Sequence, residues 1–313
     1  MPQPALTVFL IIAAIAIVVV LIAVIVIALR AQRRRKLAQT LEKRRDDEVQ
    51  YAFIVNPSKP QAEARRLHIQ RFCEAKGLNR IRFYDTQLDK DGRVCALEAL
   101  EDGADVVIAC LGESADMSGE GYCRSELGLP GVQQELLKEL KKTGKPVVLL
   151  LSNGRPLTLA WEKENIETIV ETWFLGTEAG NAVADVLFGK YNPSGKLVMS
   201  FPYNVGQIPV YYNHKHTGRP FEPNQRYVMH YIDAPVDALY PFGYGLSYTT
   251  FEYGDLRPSA TTLRRGEKVT VEVSVTNTGG MDGAETVHWF ISDPVCRISR
   301  PVRELKHLSL IHI

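Results

Sequence analysis

The chain has 313 residues, of which 45% are hydrophobic and 23% charged, with a formal net charge of +1. That length accommodates two ordinary domains and a tail, and nothing in the global balance points to nucleic acid or to acidic ligands as partners. The five cysteines, Cys73, Cys95, Cys110, Cys123 and Cys296, form no C-x-x-C pair and no metal-type spacing with histidine, so they read as separate thiols, with no metal or cofactor expected.

From the N-terminus, Ala5 to Leu29 is apolar apart from Thr7. A helix of about 25 residues crosses a hydrocarbon core of about 30 Å. A signal peptide would carry positive charge before the apolar run and a small-residue cleavage site after it. Here uncharged Met-Pro-Gln-Pro leads, and Arg30, Arg33, Arg34, Arg35 and Lys36 follow. The expectation is a single-pass membrane anchor over residues 5–29, with the bulk of the chain on the cytoplasmic side. Residues 30–50 read as a basic juxtamembrane helix, either touching anionic lipid heads or exposing a solvated face.

Tyr51 to Val55 is a short apolar strand ended by Asn56-Pro57-Ser58-Lys59-Pro60. Ala64, Leu67, Ile69, Phe72 and Cys73 follow at helical spacing. Ile81 to Tyr84 reads as a strand, Val94 to Leu100 as a helix and Ala104 to Ala109 as a buried strand. The alternation continues with a helix over Val132 to Lys141, a doubly buried strand over Val147 to Leu151, a strand over Glu167 to Trp173 and a helix over Gly180 to Phe188. This rhythm predicts an α/β fold, a mostly parallel sheet sandwiched by helices. Beyond Gly206 helical periodicity fades. His214 and His216 share a strand face at metal-like spacing, but with no third ligand they read as surface residues. From Lys268, Val269, Val271, Val273 and Val275 alternate with polar residues, which predicts a half-buried antiparallel strand. Ala284 to Ile291 gives another, so a β-sandwich module begins here and is truncated.

Several stretches carry a resemblance. They are Gly112-Glu113-Ser114 with Ser118-Gly119-Glu120-Gly121-Tyr122-Cys123-Arg124; Thr143-Gly144-Lys145-Pro146 with Asn153-Gly154-Arg155-Pro156; Trp173-Phe174-Leu175-Gly176-Thr177-Glu178-Ala179-Gly180; Asn192-Pro193-Ser194-Gly195-Lys196-Leu197; and Tyr240-Pro241-Phe242-Gly243-Tyr244-Gly245-Leu246-Ser247-Tyr248. In this order they resemble the C-terminal part of glycoside hydrolase family 3 β-glucosidases. The resemblance implies an α/β domain over 104–250 and the start of a fibronectin type III-like module over 251–307. It implies retaining hydrolysis of a β-glucoside or oligosaccharide, with Glu120 as the acid/base and Arg124 as a sugar or carboxylate partner. Retention needs a second carboxyl, the nucleophile, about 5 Å away. In the family a preceding barrel supplies it, and no segment before residue 104 resembles that barrel. The expectation is therefore a fragment inactive on its own.

Residues 51–109 resemble something else. Phe53 to Pro60, Tyr84-Asp85-Thr86 and Ala99 to Ala109 look like the N-terminal lobe of a diacylglycerol kinase-type lipid kinase, in which Asn56 and Ser58 would be vestigial nucleotide contacts. The glycine-rich phosphate loop of that family is replaced here by Cys110-Leu111-Gly112-Glu113. A chimera joined near 104–110 is the expectation, with partial continuity of one sheet, because Ala104 to Ala109 serves as a core strand for either parent. The tail, Leu308 to Ile313, is expected to be non-native. The alternatives to a glycosidase fragment are a membrane-anchored lipid kinase fragment and a non-catalytic sugar-binding or interaction module.

Overall fold

Strict alternation of large aliphatic residues sets the architecture. The computed structural model describes residues 32, 50–55, 62–75, 77, 78, 80–85, 98, 99 and 101–313. The apolar run 5–29, most of the basic segment, Asn56, Ser58 and Cys95 lie outside the described residues. Among the described residues no helix is long and apolar enough to cross a membrane.

Strands β1 (Tyr51–Val55), β2 (Ile81–Asp85), β3 (Val106–Gly112), β4 (Val147–Ser152) and β5 (Thr168–Glu171) form one sheet in the order β2-β1-β3-β4-β5. All four pairings are parallel. The sheet is thus continuous across residues 104–110, as partial continuity requires. Helices α1 (Ala62–Ala75), α2 (Gln133–Lys142), α3 (Ala160–Asn165) and α4 (Ala179–Leu187) cover it. Because successive side chains point to opposite faces, each strand feeds two cores. Ala52, Ile54, Val107, Ala109, Leu111, Val147, Leu149 and Leu151 pack in the layer that holds Leu136, Leu137 and Leu140 of α2. Phe53, Ile108 and Leu150 pack on the other side with Ile69 and Cys73 of α1 and Val183 of α4.

Three elements depart from expectation. β3 begins two residues later than expected and runs to Gly112, because Cys110 and Leu111 pair with Leu150 and Leu151. β5 ends at Glu171, and Trp173 leaves the sheet at φ +51°, a left-handed conformation rare for a bulky residue. Helix α3 has too short a pattern to be foreseen.

The C-terminal region forms three two-stranded antiparallel ladders. β6 (Phe251–Tyr253) pairs with β9 (Val275–Asn277), β7 (Arg257–Pro258) with β8 (Val271–Glu272), and β10 (Ala284–Ile291) with β11 (Glu304–His312). The half-buried strand expected from Lys268 is not formed as such. It breaks into β8 and β9, and Val269 and Val271 stay 38% and 37% exposed. The tail expected to be foreign continues β11, with Leu308 opposite His288 and His312 opposite Ala284.

The ladders attach to the α/β domain through Asn192, whose Nδ2 donates to Asp282 O at 3.1 Å while its Oδ1 accepts from Ser247 Oγ and Tyr248 N–H, both at 2.8 Å. Lys196 bonds Gly245 O and Glu285. Tyr212 stacks on Phe242 at 4.4 Å; on β10, Phe290 meets the Tyr212 ring and His288 meets the Phe242 ring.

Candidate active site

In a parallel sheet the carboxyl ends of all strands lie on one side, where loops converge. Here the loops after β3, β4 and β5 meet. β3 ends at Gly112, whose N–H and C=O are held by the amide of Gln133 at 2.7 and 3.0 Å. Glu113 then turns inward, and its side chain is fully buried. Two arginines close on it. Arg124 Nη1 lies 2.7 Å from Oε1, and Arg155 Nε lies 3.1 Å from the same oxygen. The Gly154 N–H donates to Oε2 at 3.2 Å. Removing one partner of such a buried set typically costs about 3–5 kcal/mol.

Each arginine also reaches loop backbone. Arg124 donates to Gly128 O at 3.0 Å. Arg155 Nη2 donates to the carbonyls of Met117 and Tyr122, the latter at 2.8 Å. These two carbonyls bracket Ser118-Gly119-Glu120-Gly121. The tip is a turn closed by Tyr122 N–H to Gly119 O at 3.2 Å. Gly119 and Gly121 both adopt positive φ, +126° and +79°, conformations that other residues adopt at a cost. Glu120 is exposed. Among the described residues it has neither a hydrogen-bond nor an ion-pair partner.

The floor of the loop is tightly packed. A Cβ on Gly154 would sit 2.1 Å from Ser118 Oγ and 2.7 Å from Phe174 Cε2, so glycine lets the loops after β3 and β5 meet there. Buried Asn153 follows β4 and half-buried Glu171 ends β5. Asn153 Nδ2 donates to Arg155 O at 2.7 Å, and Glu171 Oε1 accepts the Trp173 N–H at 2.8 Å. Burial pushes the Glu171 carboxyl up to about 7, against the partial relief of hydrogen bonds from Trp173 and Asn153.

The residues singled out from sequence fall in different places. Glu120 and Arg124 share one loop, but Arg124 turns inward to Glu113 while Glu120 points free. Asn56 and Ser58 lie outside the described residues. His214 and His216 are exposed, and the His214 ring contacts Lys215 O. Among the described residues no group of three or more His, Cys, Asp or Glu side chains is arranged to hold a metal. Sequence reasoning did not single out Glu113, Gln133, Arg155 or Glu171. For Glu113 the available signal was a charged residue set directly after a strand of apolar residues, where burial is the default.

Comparison with known proteins agrees with this geometry. The sequence profile of the glycosyl hydrolase family 3 C-terminal domain matches residues 25–248. A periplasmic β-glucosidase of Salmonella typhimurium is 53% identical over 210 residues, which cover 66% of this chain and 28% of that protein. A β-xylosidase of Formosa agariphila is 43% identical over 223 residues, 71% of this chain and 30% of that protein. The crystal structure of a β-glucosidase from Listeria innocua in complex with glucose superposes with a TM-score of 0.76 at 36% identity, covering 85% of this chain and 39% of that one. The chain therefore spans less than a third of the length of these two curated relatives. With the profile matched over most of its length and the sheet continuous through the match, the chain belongs to glycosyl hydrolase family 3, as a carrier of that family's C-terminal domain.

Proposed function

We propose that residues 104–250 supply the proton-donating part of a retaining β-glucoside hydrolase, with Glu120 as general acid and then general base. The observation that supports this reading most is the setting of Glu120: a carboxyl without partners, on a glycine-flanked tip whose two ends are held by Arg155. A proton donor must come within hydrogen-bond reach of the leaving oxygen. A group that enters a pocket formed by another domain needs a projecting tip on a fixed base, and this loop provides both. The nucleophile is assigned to a separate barrel domain. The substrate class is a β-glucoside or β-linked oligosaccharide, with β-xylosides as the neighbouring class to compare. Arg124 serves by holding the loop to Glu113, and any contact with substrate is secondary to that. Anchoring through residues 5–29, with the domain on the cytoplasmic side, belongs to the same proposal.

A lipid-kinase origin for residues 51–109, joined as a chimera, is the second reading. Against it, the end of β3 presents the buried carboxyl of Glu113 where a phosphate loop presents backbone N–H groups. The family match also spans the region of the expected join.

The test is complementation. The purified chain is assayed on aryl β-glucosides alone and mixed with a barrel domain from a relative. The expected result is no turnover alone and turnover on mixing. In the mixture, Glu120→Gln loses substrates with poor leaving groups and spares activated ones, which need little protonation. Hydrolysis by the chain alone that survives Glu120→Gln overturns the proposal.

A further inference from the structure

A cleft of about 490 Å³ opens where four segments converge: the stretch after the Glu120 tip, the start of α2, the start of α3 and the loop at 203–206. Six side chains carry its chemistry. Trp161 and Tyr203 give aromatic surface, and Glu126, Gln134, Thr158 and Asn204 give polar groups. Among the described residues, the Glu126 carboxylate, the Thr158 hydroxyl, the Asn204 amide, the Tyr203 hydroxyl and the Trp161 indole N–H have no hydrogen-bond partner, and all of them reach solvent. Gln134 is tethered, because its Nε2 donates at 3.0 Å to Oε1 of the fully buried Glu162. A carboxylate accepts and does not donate. The amide nitrogen therefore faces Glu162, and the amide oxygen is what Gln134 has left to offer.

The walls are fixed by bonds of their own. Arg124 holds Gly128 O, and the Thr158 N–H donates to Leu127 O at 2.8 Å, which ties the first wall to the third. The buried Gln207 accepts the Tyr203 N–H at 2.5 Å and donates to Pro235 O and Asp237 O, which secures the fourth. Lys138 Nζ lies 5.7 Å over the Trp161 ring and steadies it. A preformed concavity with aromatic lining and a few converging polar groups is the usual form of a small-ligand site.

We infer that this cleft binds a neutral saccharide. Aromatic faces take the C–H faces of a pyranose ring, and Tyr and Trp keep a polar edge beside them. The surrounding carboxylate, amides and hydroxyl match sugar hydroxyls, each of which both donates and accepts. An anion would meet Glu126 and find no cation among the six side chains. An apolar ligand would leave their polar groups unpaired. The choice of a β-linked gluco-oligosaccharide within this class rests on reading the domain as part of a β-glucoside hydrolase.

The experiment titrates the full chain, kept in a detergent without a sugar headgroup, with cellotetraose and with its α-linked counterpart maltotetraose. Calorimetry gives the affinity. The Trp161 indole N–H resonance, assigned through Trp161→Phe, reports the place. The expected result is saturable binding of cellotetraose that shifts the Trp161 signal and leaves that of Trp289, on β10, unmoved, with maltotetraose several-fold weaker. Glu126 is exposed and Tyr203→Phe keeps the ring, so Glu126→Ala and Tyr203→Phe should fold as the parent does. Each removes one uncommitted polar group and should weaken binding by about three- to tenfold. Absence of saturation overturns the inference, as does binding that spares the Trp161 signal or is as tight in both variants as in the parent. Equal affinity for maltotetraose overturns the assignment of a β-linked sugar. None of these readouts involves turnover. A failed complementation assay with normal cellotetraose binding removes the glycosidase reading alone, and the converse removes only the role of the cleft.

Discussion

Two regions of the molecule use the same sequence pattern and reach different ends. In the α/β domain, Val147, Leu149 and Leu151 alternate with Val148 and Leu150, and helices cover both faces. In the C-terminal region, Val269, Val271, Val273 and Val275 alternate as strictly, yet Val269 and Val271 remain more than a third exposed. Alternation specifies which side chains share a face, and a second layer decides whether that face is a core. The helices of the α/β domain lie close in sequence to the strands they cover. A β-sandwich face needs a whole further sheet.

The contrast is open to measurement. The largest effect should come from Glu113→Gln, which leaves Arg124 and Arg155 without their buried counter-charge, at a cost of about 3–5 kcal/mol in urea unfolding. Glu304→Gln, which loses a solvent-screened pair with Lys306 in the C-terminal region, should leave the urea midpoint almost unchanged. Equal losses would erase the distinction between the regions. Next, Leu151→Ala in the doubly covered sheet should cost about 2–5 kcal/mol. Val271→Ala should stay within about 0.5 kcal/mol. A large loss at Val271 would mean that something does cover that face.

A smaller effect should follow pH. Glu171 titrates near 7 when folded, against an ordinary 4.5, so the folded chain keeps this proton where the unfolded chain has lost it. Its contribution to stability is complete below about pH 4.5, falls as pH rises toward 7 and is gone above. Urea midpoints of the parent should therefore decline from about pH 5 to about pH 8. Glu171→Gln should remove that component of the decline, and a parallel decline in both proteins would assign it to other groups. The smallest effect should be at Glu120→Gln, within about 0.5 kcal/mol of the parent.

Much of the α/β domain was legible because its signals are local. Five aliphatic residues from Val147 make a strand in any context, and Leu136, Leu137 and Leu140 mark one face of a helix. Glu120 was legible only through the family motif, since a glutamate between two glycines is otherwise a solvated loop residue. Glu113, Arg155 and Glu171 were not singled out because their importance lies in burial and in contacts between separate loops. Glu113 and Arg155 are 42 positions apart in sequence and 3.1 Å apart in space. The break between β8 and β9 was hidden for the opposite reason, because the local signal was strong and its partner missing.

The isolation of Glu120 separates inheritance of the fold from inheritance of the chemistry. Because the side chain is exposed and makes no hydrogen bond or ion pair among the described residues, the folded state depends little on what stands there. A lineage can exchange it and still produce a chain that expresses, folds and survives proteolysis as before. Selection for stability therefore exerts no hold on this position, whereas Glu113 is held by the clamp itself. Among relatives, a retained Glu113 with a changed residue at position 120 would mark a domain kept as scaffold after its reaction was abandoned. Melting temperature would not reveal the loss, and only a chemical assay would.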